Sequence, residues 1–390
     1  MKKAITALLS IGVFLLIFLL LQRLVTPKYA DDVLEGTFTA EYYEETTPHD
    51  VILVGDCEVY ENVDPIYLWE HYGITSYIRG NAQQLTWQSY YMLEDTLYHE
   101  TPKVVIYNVQ ALTHGTPQRE EYNRMTMDGM KWSKTKWEGI KASMCEDENM
   151  IDYIIPMFRY HQRITQLTES DFKYFRENPR HTHNGYYMRI DVLPVSQSDV
   201  ADIDWLMGDE EEEAVEEDII EDPWAAIPEA DEQLDTARTP TAASSQAGEE
   251  FGDYPMEYLD KMRKLCEENN IQLILMKAPS AAPQWYSTDE EQVVEYADKY
   301  GLPYINFYTL IDQLEIDYET DTYDGGLHMN LSGADKISEY LGSVLTEEYG
   351  IKDHRQDEEI AEVYKEKVKR YYEEIDTQQE QLEQYGKVLK

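Results

Sequence analysis

The feature that most constrains the fold of this chain is a repeated alternation of short apolar runs with helical patterns. The runs are rich in β-branched residues, as is typical of buried strands. They occupy residues 51–55, 75–79 and 102–109, and two later ones read IQLILMKAP and LPYINF. Because a helical crossover usually joins parallel strands, the alternation predicts a mostly parallel sheet with helices on both faces, a three-layer α/β/α sandwich. The last helical pattern, LSGADKISEYLGSVLTEEYG, is predicted to be capped by Ser332.

An uncharged run at the N-terminus predicts a membrane anchor. Residues 4–21 are 18 apolar or small residues that follow Lys2 and Lys3. As a helix the run would span about 27 Å, close to the hydrocarbon thickness of a bilayer. No small-x-small cleavage site follows it, so an uncleaved anchor is favoured over a signal peptide. The positive-inside rule, weakened by Arg23 and Lys28, predicts a single-pass cell-membrane protein with a cytoplasmic N-terminus and an extracytoplasmic main domain.

The net charge argues against one class of partner. The chain has 33 basic and 77 acidic residues, a net charge of -44. Nucleic acid is therefore not an expected partner, because its binding requires a basic surface. Most of the chain should also be repelled by an anionic membrane surface.

Residues 208–250 contain 16 acids and one base, which predicts a disordered surface insert; a cation-binding or partner-docking segment is the alternative.

These patterns divide the chain into three parts. Residues 1–28 form a cytoplasmic stub and transmembrane anchor, and residues 29–350 form the α/β domain with the acidic insert 208–250. Residues 351–390 form a charged helical tail that either packs on the domain or is solvated.

Cysteine and histidine spacing predicts no metal site and no cofactor. The three cysteines, Cys57, Cys145 and Cys266, are widely spaced and match neither a disulfide framework nor a zinc motif. His181 and His183 form a close pair without a carboxylate or cysteine companion at useful spacing, so a loop pair is favoured.

Polar residues that follow the predicted strands should converge. Cys57 comes just after the first strand, Gly80 and Asn81 follow the second, and Asn108 is near the end of the third. His328 lies just before the last helix. In an open parallel sheet the functional site lies beyond the carboxyl ends of the strands, so these residues are expected at one edge. Three neighbours of the second strand are weaker candidates for substrate contact: Asn81, Gln84 and Trp87.

Four blocks of sequence resemble a known superfamily. VGDCEVY, RGNAQQ, VVIYNV and DGGLHMN, in this order, resemble the blocks of the SGNH/GDSL hydrolases, most closely their membrane-anchored, cell-envelope acyltransferase-like members. The resemblance covers residues 50–350 apart from the insert. It departs from the family in placing cysteine at the nucleophilic serine, in lacking Gly-x-Asn-Asp in the third block, and in an Asp-to-His spacing that is one residue longer.

The resemblance implies a role for each matching residue. Cys57 takes the position of the nucleophile, and its backbone N–H, Gly80 and Asn108 would form the oxyanion hole. His328 would be the general base, and Asp324 would orient it. Because a neighbouring histidine can hold a thiol as thiolate, the pKa of Cys57 is expected to fall below that of a free cysteine, with appreciable alkylation near pH 6. A structural, buried Cys57 is the alternative.

Two function classes follow. The first is an anchored extracytoplasmic acyl esterase or O-acyltransferase that acts on a cell-envelope polysaccharide or other acylated glycopolymer through a Cys-His-Asp site. The second is a catalytically inactive SGNH-fold protein that binds glycan or assists a membrane acyltransferase.

Overall fold

The computed structural model describes residues 1–31, 33–117, 119–195, 249–281 and 285–389. The predicted acidic insert, residues 208–250, lies outside the described residues except for its last two.

The described residues contain one five-stranded parallel sheet, which confirms the predicted α/β class. Its strands are β1 (Val51–Gly55), β2 (Ser76–Gly80), β3 (Val104–Asn108), β4 (Gln272–Lys277) and β5 (Tyr304–Asn306). The strand order is β2-β1-β3-β4-β5, with Val51 opposite both Ser76 and Val104. The direction of winding reverses between β1 and β3, which is where doubly wound sheets of this order open a crevice for a ligand.

Helices connect and flank the strands. They are α1 (Lys2–Val25), α2 (Phe38–Glu41), α3 (Cys57–Tyr60), α4 (Pro65–Tyr72), α5 (Thr86–Thr96), α6 (Glu120–Asp128), α7 (Lys134–Ser143), α8 (Met150–Ile154), α9 (Pro156–Tyr160), α10 (Glu169–Lys173), α11 (Asp253–Glu268), α12 (Ser287–Tyr300), α13 (Ile311–Leu314), α14 (Leu331–Glu347) and α15 (Glu358–Tyr385). Short 3₁₀ turns lie at Leu34–Thr37, Tyr42–Glu44, Val109–Thr113, His161–Thr165 and Phe307–Leu310.

The sheet is the centre of the hydrophobic core. All residues of β1 and β3 are buried, as expected for central strands of a parallel sheet. Helix α5 packs against β1, β2, α7 and α11, whereas α4 packs against β2, α14 and α15. Helix α14 is capped by Asn330, whose side chain accepts a hydrogen bond from the N–H of Gly333; the predicted cap, Ser332, is inside the helix.

The apolar N-terminal run forms one long helix, α1, with a mean hydropathy of 2.9 over its most apolar window, none of which is buried. By length and composition it is a candidate membrane span. Its C-terminal end is attached to the rest of the protein: Arg23 donates from Nε to the carbonyl of Phe175 at 3.0 Å, and Arg163 donates to the carbonyl of Val25 at 2.7 Å.

The C-terminal helix α15 packs on the domain, one of the two arrangements that its sequence left open. Tyr371 donates to Asp64 at 2.6 Å in the interior, and Asn184 donates to the hydroxyl of Tyr364 at 3.1 Å. The ring of Tyr364 stacks on Trp69 with centroids 4.0 Å apart. These contacts join the end of the chain to α4.

Candidate active site

Cys57 is the first residue of α3, directly after β1, and it keeps partial exposure. The preceding Asp56 caps this short helix by accepting from the N–H of Glu58. A Cβ on Gly55 would lie 2.6 Å from Val59 and 3.0 Å from Asn108. A glycine is therefore needed for the chain to turn from β1 into α3 so close to β3.

Asp324 fixes both the backbone and the ring of His328. One carboxylate oxygen accepts from the backbone N–H of His328 at 2.8 Å, and the other lies 2.6 Å from ring Nδ1. The longer Asp-to-His spacing is accommodated by Gly325 and Gly326, both in the left-handed region with φ of 80° and 93°. With Nδ1 held by Asp324, Nε2 is left for Cys57, whose thiol shares a hydrogen bond with the imidazole.

Further hydrogen bonds hold the loop that carries His328. The carbonyl of His328 accepts from the hydroxyl of Thr322 at 2.8 Å, and the next N–H, of Met329, donates to the side chain of Asn62 at 2.8 Å. The structure thus brings Cys57, His328 and Asp324 together beyond the carboxyl end of β1.

Glu61 is a second carboxylate at His328 and was missed by sequence analysis. Its Oε2 lies 3.7 Å from Nδ1 of His328 and accepts a hydrogen bond from Tyr323. Its N–H donates to the carbonyl of Cys57 at 3.1 Å, one helical turn back. The four-residue spacing from Cys57 was therefore a usable signal, because such residues share a helix face.

The charges in this site do not favour a thiolate. Burial raises the pKa of the Cys57 thiol to about 11 and outweighs the lowering by His328, while Asp56 and Glu61 raise it further. Burial opposes the charged form of His328, but Glu61, Cys57 and Asp324 together raise its pKa well above the ordinary value. Burial also raises the pKa of Glu61 to about 7. The expected low thiol pKa was therefore wrong: burial holds the pKa of Cys57 above that of a free cysteine.

This charge state predicts slow alkylation. At pH 7.5 iodoacetamide should modify Cys57 on the order of tenfold to a hundredfold more slowly than an unhindered cysteine, since thiolate is scarce and its higher nucleophilicity compensates only in part. The rate should rise with pH toward about 11. His328→Ala should slow the reaction further, whereas Glu61→Gln should speed it, because the two residues shift the thiol pKa in opposite directions.

The other cysteines serve as internal references for that measurement, which is made by mass spectrometry of the native protein. Burial raises the thiol pKa of Cys145 and of Cys266 to about 12 each. A rate at Cys57 that reaches a plateau near pH 6 would contradict the raised pKa of its thiol.

The predicted oxyanion donors differ in whether other groups already occupy their N–H hydrogens. Asn108 is fully buried, and its Nδ2 donates to Asp56 at 3.1 Å and to Glu58 at 3.0 Å. Both amide hydrogens are thus occupied, which argues against Asn108 as an oxyanion donor. Gly80 ends β2 opposite Gly55, and its Cβ position is 3.4 Å from the carbonyl oxygen of Asp56. Gly80 and the N–H of Cys57 therefore remain the candidate donors.

The three weaker substrate candidates are packed inside the protein, which corrects their assignment. Asn81 donates to the carbonyls of Glu35 and Met125 at 3.0 and 3.1 Å. Gln84 donates to the carbonyl of Arg79 and to Ser89, each at 3.0 Å. Trp87 is fully buried with its ring 4.7 Å from that of Tyr254. These residues fasten the loop after β2 rather than reach a ligand.

A buried ion pair involves Glu58, the residue that follows Cys57. Lys277 at the end of β4 donates to the two carboxylate oxygens of Glu58 at 2.9 and 2.8 Å and to the carbonyl of Ala278 at 2.9 Å. The side chains of Lys277 and Glu58 are 0% and 2% exposed. Together with the bond from Asn108 to Glu58, the pair links α3, β3 and β4.

The remaining histidines and cysteines do not assemble into a site. His183 is buried, and burial lowers its pKa to about 3, while a ring nitrogen of His181 lies 2.9 Å from the carbonyl of Tyr29. Within the described ranges no group of three or more His, Cys, Asp or Glu side chains has a metal-binding arrangement.

Comparison with known proteins does not identify a family. No protein-family model matches the chain, and a search of curated proteins gives no significant match. The function has to be inferred from the geometry around Cys57.

Proposed function

We propose that the protein is a membrane-anchored, extracytoplasmic acyl esterase or O-acyltransferase with an SGNH-type three-layer fold, which acts on a cell-envelope glycopolymer. The observation that carries the proposal is the arrangement of Cys57, His328 and Asp324, in which the carboxylate fixes the imidazole and the imidazole meets the thiol. The candidate span α1 supports the anchor. The strand order and the position of Cys57 at the winding reversal support the fold.

The first half of the reaction forms an acyl-enzyme. Neutral His328 takes the proton of the Cys57 thiol at Nε2 while the sulfur attacks the acyl carbonyl carbon. The N–H groups of Cys57 and Gly80 would stabilise the oxyanion of the tetrahedral intermediate. The intermediate collapses with cleavage of the C–O ester bond, and the leaving alcohol receives the proton from His328. The product is a thioester on Cys57.

In the second half, His328 takes a proton from water or from an acceptor hydroxyl, whose oxygen attacks the thioester. Collapse returns the proton to the Cys57 sulfur and releases an acid or a new ester. Because Glu61 and Asp324 raise the pKa of His328 above its ordinary value, the neutral imidazole that acts as the base becomes more abundant as the pH rises. Both half-reactions should therefore speed up as the pH rises.

The test is capture of the acyl-enzyme. An aryl-ester probe at pH 9 should add one acyl group to Cys57, detected by mass spectrometry of the full chain. Cys57→Ala should remove the adduct, whereas Cys266→Ala should keep it. Cys57→Ser should retain some, since His328 can also activate a hydroxyl. Acylation of the Cys57→Ala variant to the same extent would refute the assignment of the nucleophile.

A second candidate, a non-catalytic SGNH-fold protein that binds glycan or assists a membrane acyltransferase, is favoured by two observations. The thiol pKa is raised to about 11, and the amide of Asn108 is occupied by Asp56 and Glu58. An intact Cys57 that takes up no acyl group between pH 7 and pH 10 from aryl-ester or thioester probes would select this candidate over the enzyme.

A further inference from the structure

A groove of about 760 Å³ lies between the end of α1 and the segment around α10. Most of its lining is apolar, and its polar residues are two cations and one carboxylate. One wall comes from α1 between Ile17 and Leu24, and the other includes Phe172, Lys173, Arg176 and Glu177.

The groove lies at a defined level of the candidate span. Ile17 and Leu24 bound the wall contributed by α1 and are about 10 Å apart along the helix axis at 1.5 Å per residue. This wall covers the last two turns of the helix and includes the end of the uncharged run, residues 4–21. It is the level at which the hydrocarbon of a bilayer gives way to the headgroups.

Hydrogen bonds hold the two walls of the groove together. Arg23 donates to the carbonyl of Phe175 and to the side chain of Asn178, each at 3.0 Å. Arg163 donates both to the carbonyl of Val25 and to Asp171, a buried residue of α10. The groove is therefore part of the fold and not a gap beside a loose tether.

The surface around the groove suits a lipid. Phe158, Ile164 and Phe172 are 52%, 52% and 62% exposed, and each lies on a segment that contacts α1. Lys173 and Arg176, which line the groove with Phe172, are also exposed, although the chain as a whole has a net charge of -44. This small basic and apolar area matches the combination of an acyl chain and an anionic headgroup.

We propose that this groove holds an acyl chain of an anionic phospholipid from the bilayer that α1 spans, with Lys173 and Arg176 beside the headgroup and Glu177 at the rim. The inference rests on the membrane anchor of the proposed function and extends it. The α/β domain would then be seated on the membrane through α10 and its neighbours as well as through α1.

The experiment uses the full chain in nanodiscs whose lipids carry a photoactivatable diazirine in the acyl chain. Phosphatidylglycerol and phosphatidylcholine are compared, and cross-linked peptides are identified by mass spectrometry. With phosphatidylglycerol we expect adducts both on α1 and on residues 172–177. Lys173→Glu/Arg176→Glu should lower the second set at least about fivefold and leave the first unchanged, because each cation near an anionic surface contributes about that factor.

Two controls separate these effects from unfolding. Lys365→Glu/Lys369→Glu reverses two cations of α15 that are 68% and 66% exposed, and it should change nothing. Phe172→Ser should remove most adducts at residues 172–177, whereas Tyr98→Ser, at a site 66% exposed, should not.

Each other outcome is decisive. Adducts on α1 without adducts on residues 172–177 would overturn the lipid groove and leave the anchor standing. Equal labelling of residues 172–177 by both lipids would overturn the anionic headgroup. A chain that does not enter the nanodisc, or whose α1 takes no adduct, would overturn the anchor and the groove together.

Discussion

Lys277→Met should lower the free energy of unfolding by about 3–5 kcal/mol, because it leaves the carboxylate of Glu58 buried without its counter-charge. The side chain of Glu58 is 2% exposed. Without Lys277, the amide of Asn108 is the one close side-chain partner that Glu58 keeps. Water cannot reach the carboxylate to compensate without opening the junction of α3, β3 and β4. Urea unfolding of the full chain in detergent, followed by circular dichroism, measures the change.

A matched set of variants isolates the buried charge. Lys277→Met/Glu58→Gln should recover most of the loss, since the glutamine is neutral and can still accept from Asn108. Lys365→Met removes one partner of an ion pair with Glu362, in which the two side chains are 68% and 71% exposed. Because the pair is exposed, this change should alter the free energy of unfolding little. A Lys277→Met variant as stable as Lys365→Met would show that the buried pair is not ionised.

Asp324→Asn should lower the rate of acyl release from an ester probe by about 10⁴-fold, the loss seen when the orienting carboxylate of such a triad is neutralised. Asp324 accepts from the backbone N–H of His328 and from its ring Nδ1 with separate oxygens. The asparagine side chain has one oxygen that accepts and one NH₂ group that only donates. Its NH₂ group would therefore face one of these two N–H donors, unless the imidazole ring adopts the other tautomer. The rate is measured from pH 7 to pH 10 with the same probe used for acyl-enzyme capture.

Glu61→Gln is the matched control, because it removes the other carboxylate near Nδ1 and leaves Asp324 in place. Since Glu61 raises the pKa of His328, this variant should move the rise of activity to lower pH without abolishing it. Equal losses in the two variants, with no displacement of the pH profile, would mean that Asp324 has no special orienting role.

The sequence predicted the sheet because the information was local. Each central strand is a short β-branched run, and strands separated by helices imply a parallel order. The meeting of Cys57 with His328 followed from that topology. The N-cap of α14 was misplaced because Asn330 and Ser332 are both good capping residues, and only the backbone shows that the helix has already begun at Ser332.

The parts of the site that sequence analysis assigned wrongly depend on hydrogen-bond direction and on burial. Asn108 stands at the end of β3 as predicted, but its amide points to the carboxylates of Asp56 and Glu58. Asn81 follows β2 as predicted, yet it bonds the backbone of Glu35 and Met125. For Cys57, the sequence identified His328 as a neighbour, but it does not show how far the surrounding groups remove the thiol from water, which raises its pKa.

The bonds from Arg23 to Phe175 and from Arg163 to Val25 have a kinetic consequence for the proposed enzyme. They hold the end of α1 against residues 163–175, so an enzyme anchored through α1 would not sweep through a volume above the bilayer as a flexibly tethered domain would. Cys57 would stay at one height, and encounters would depend on lateral diffusion in two dimensions. Cys57 would then meet substrates that are carried in the same membrane, at that height, far more often than polymers farther from the membrane.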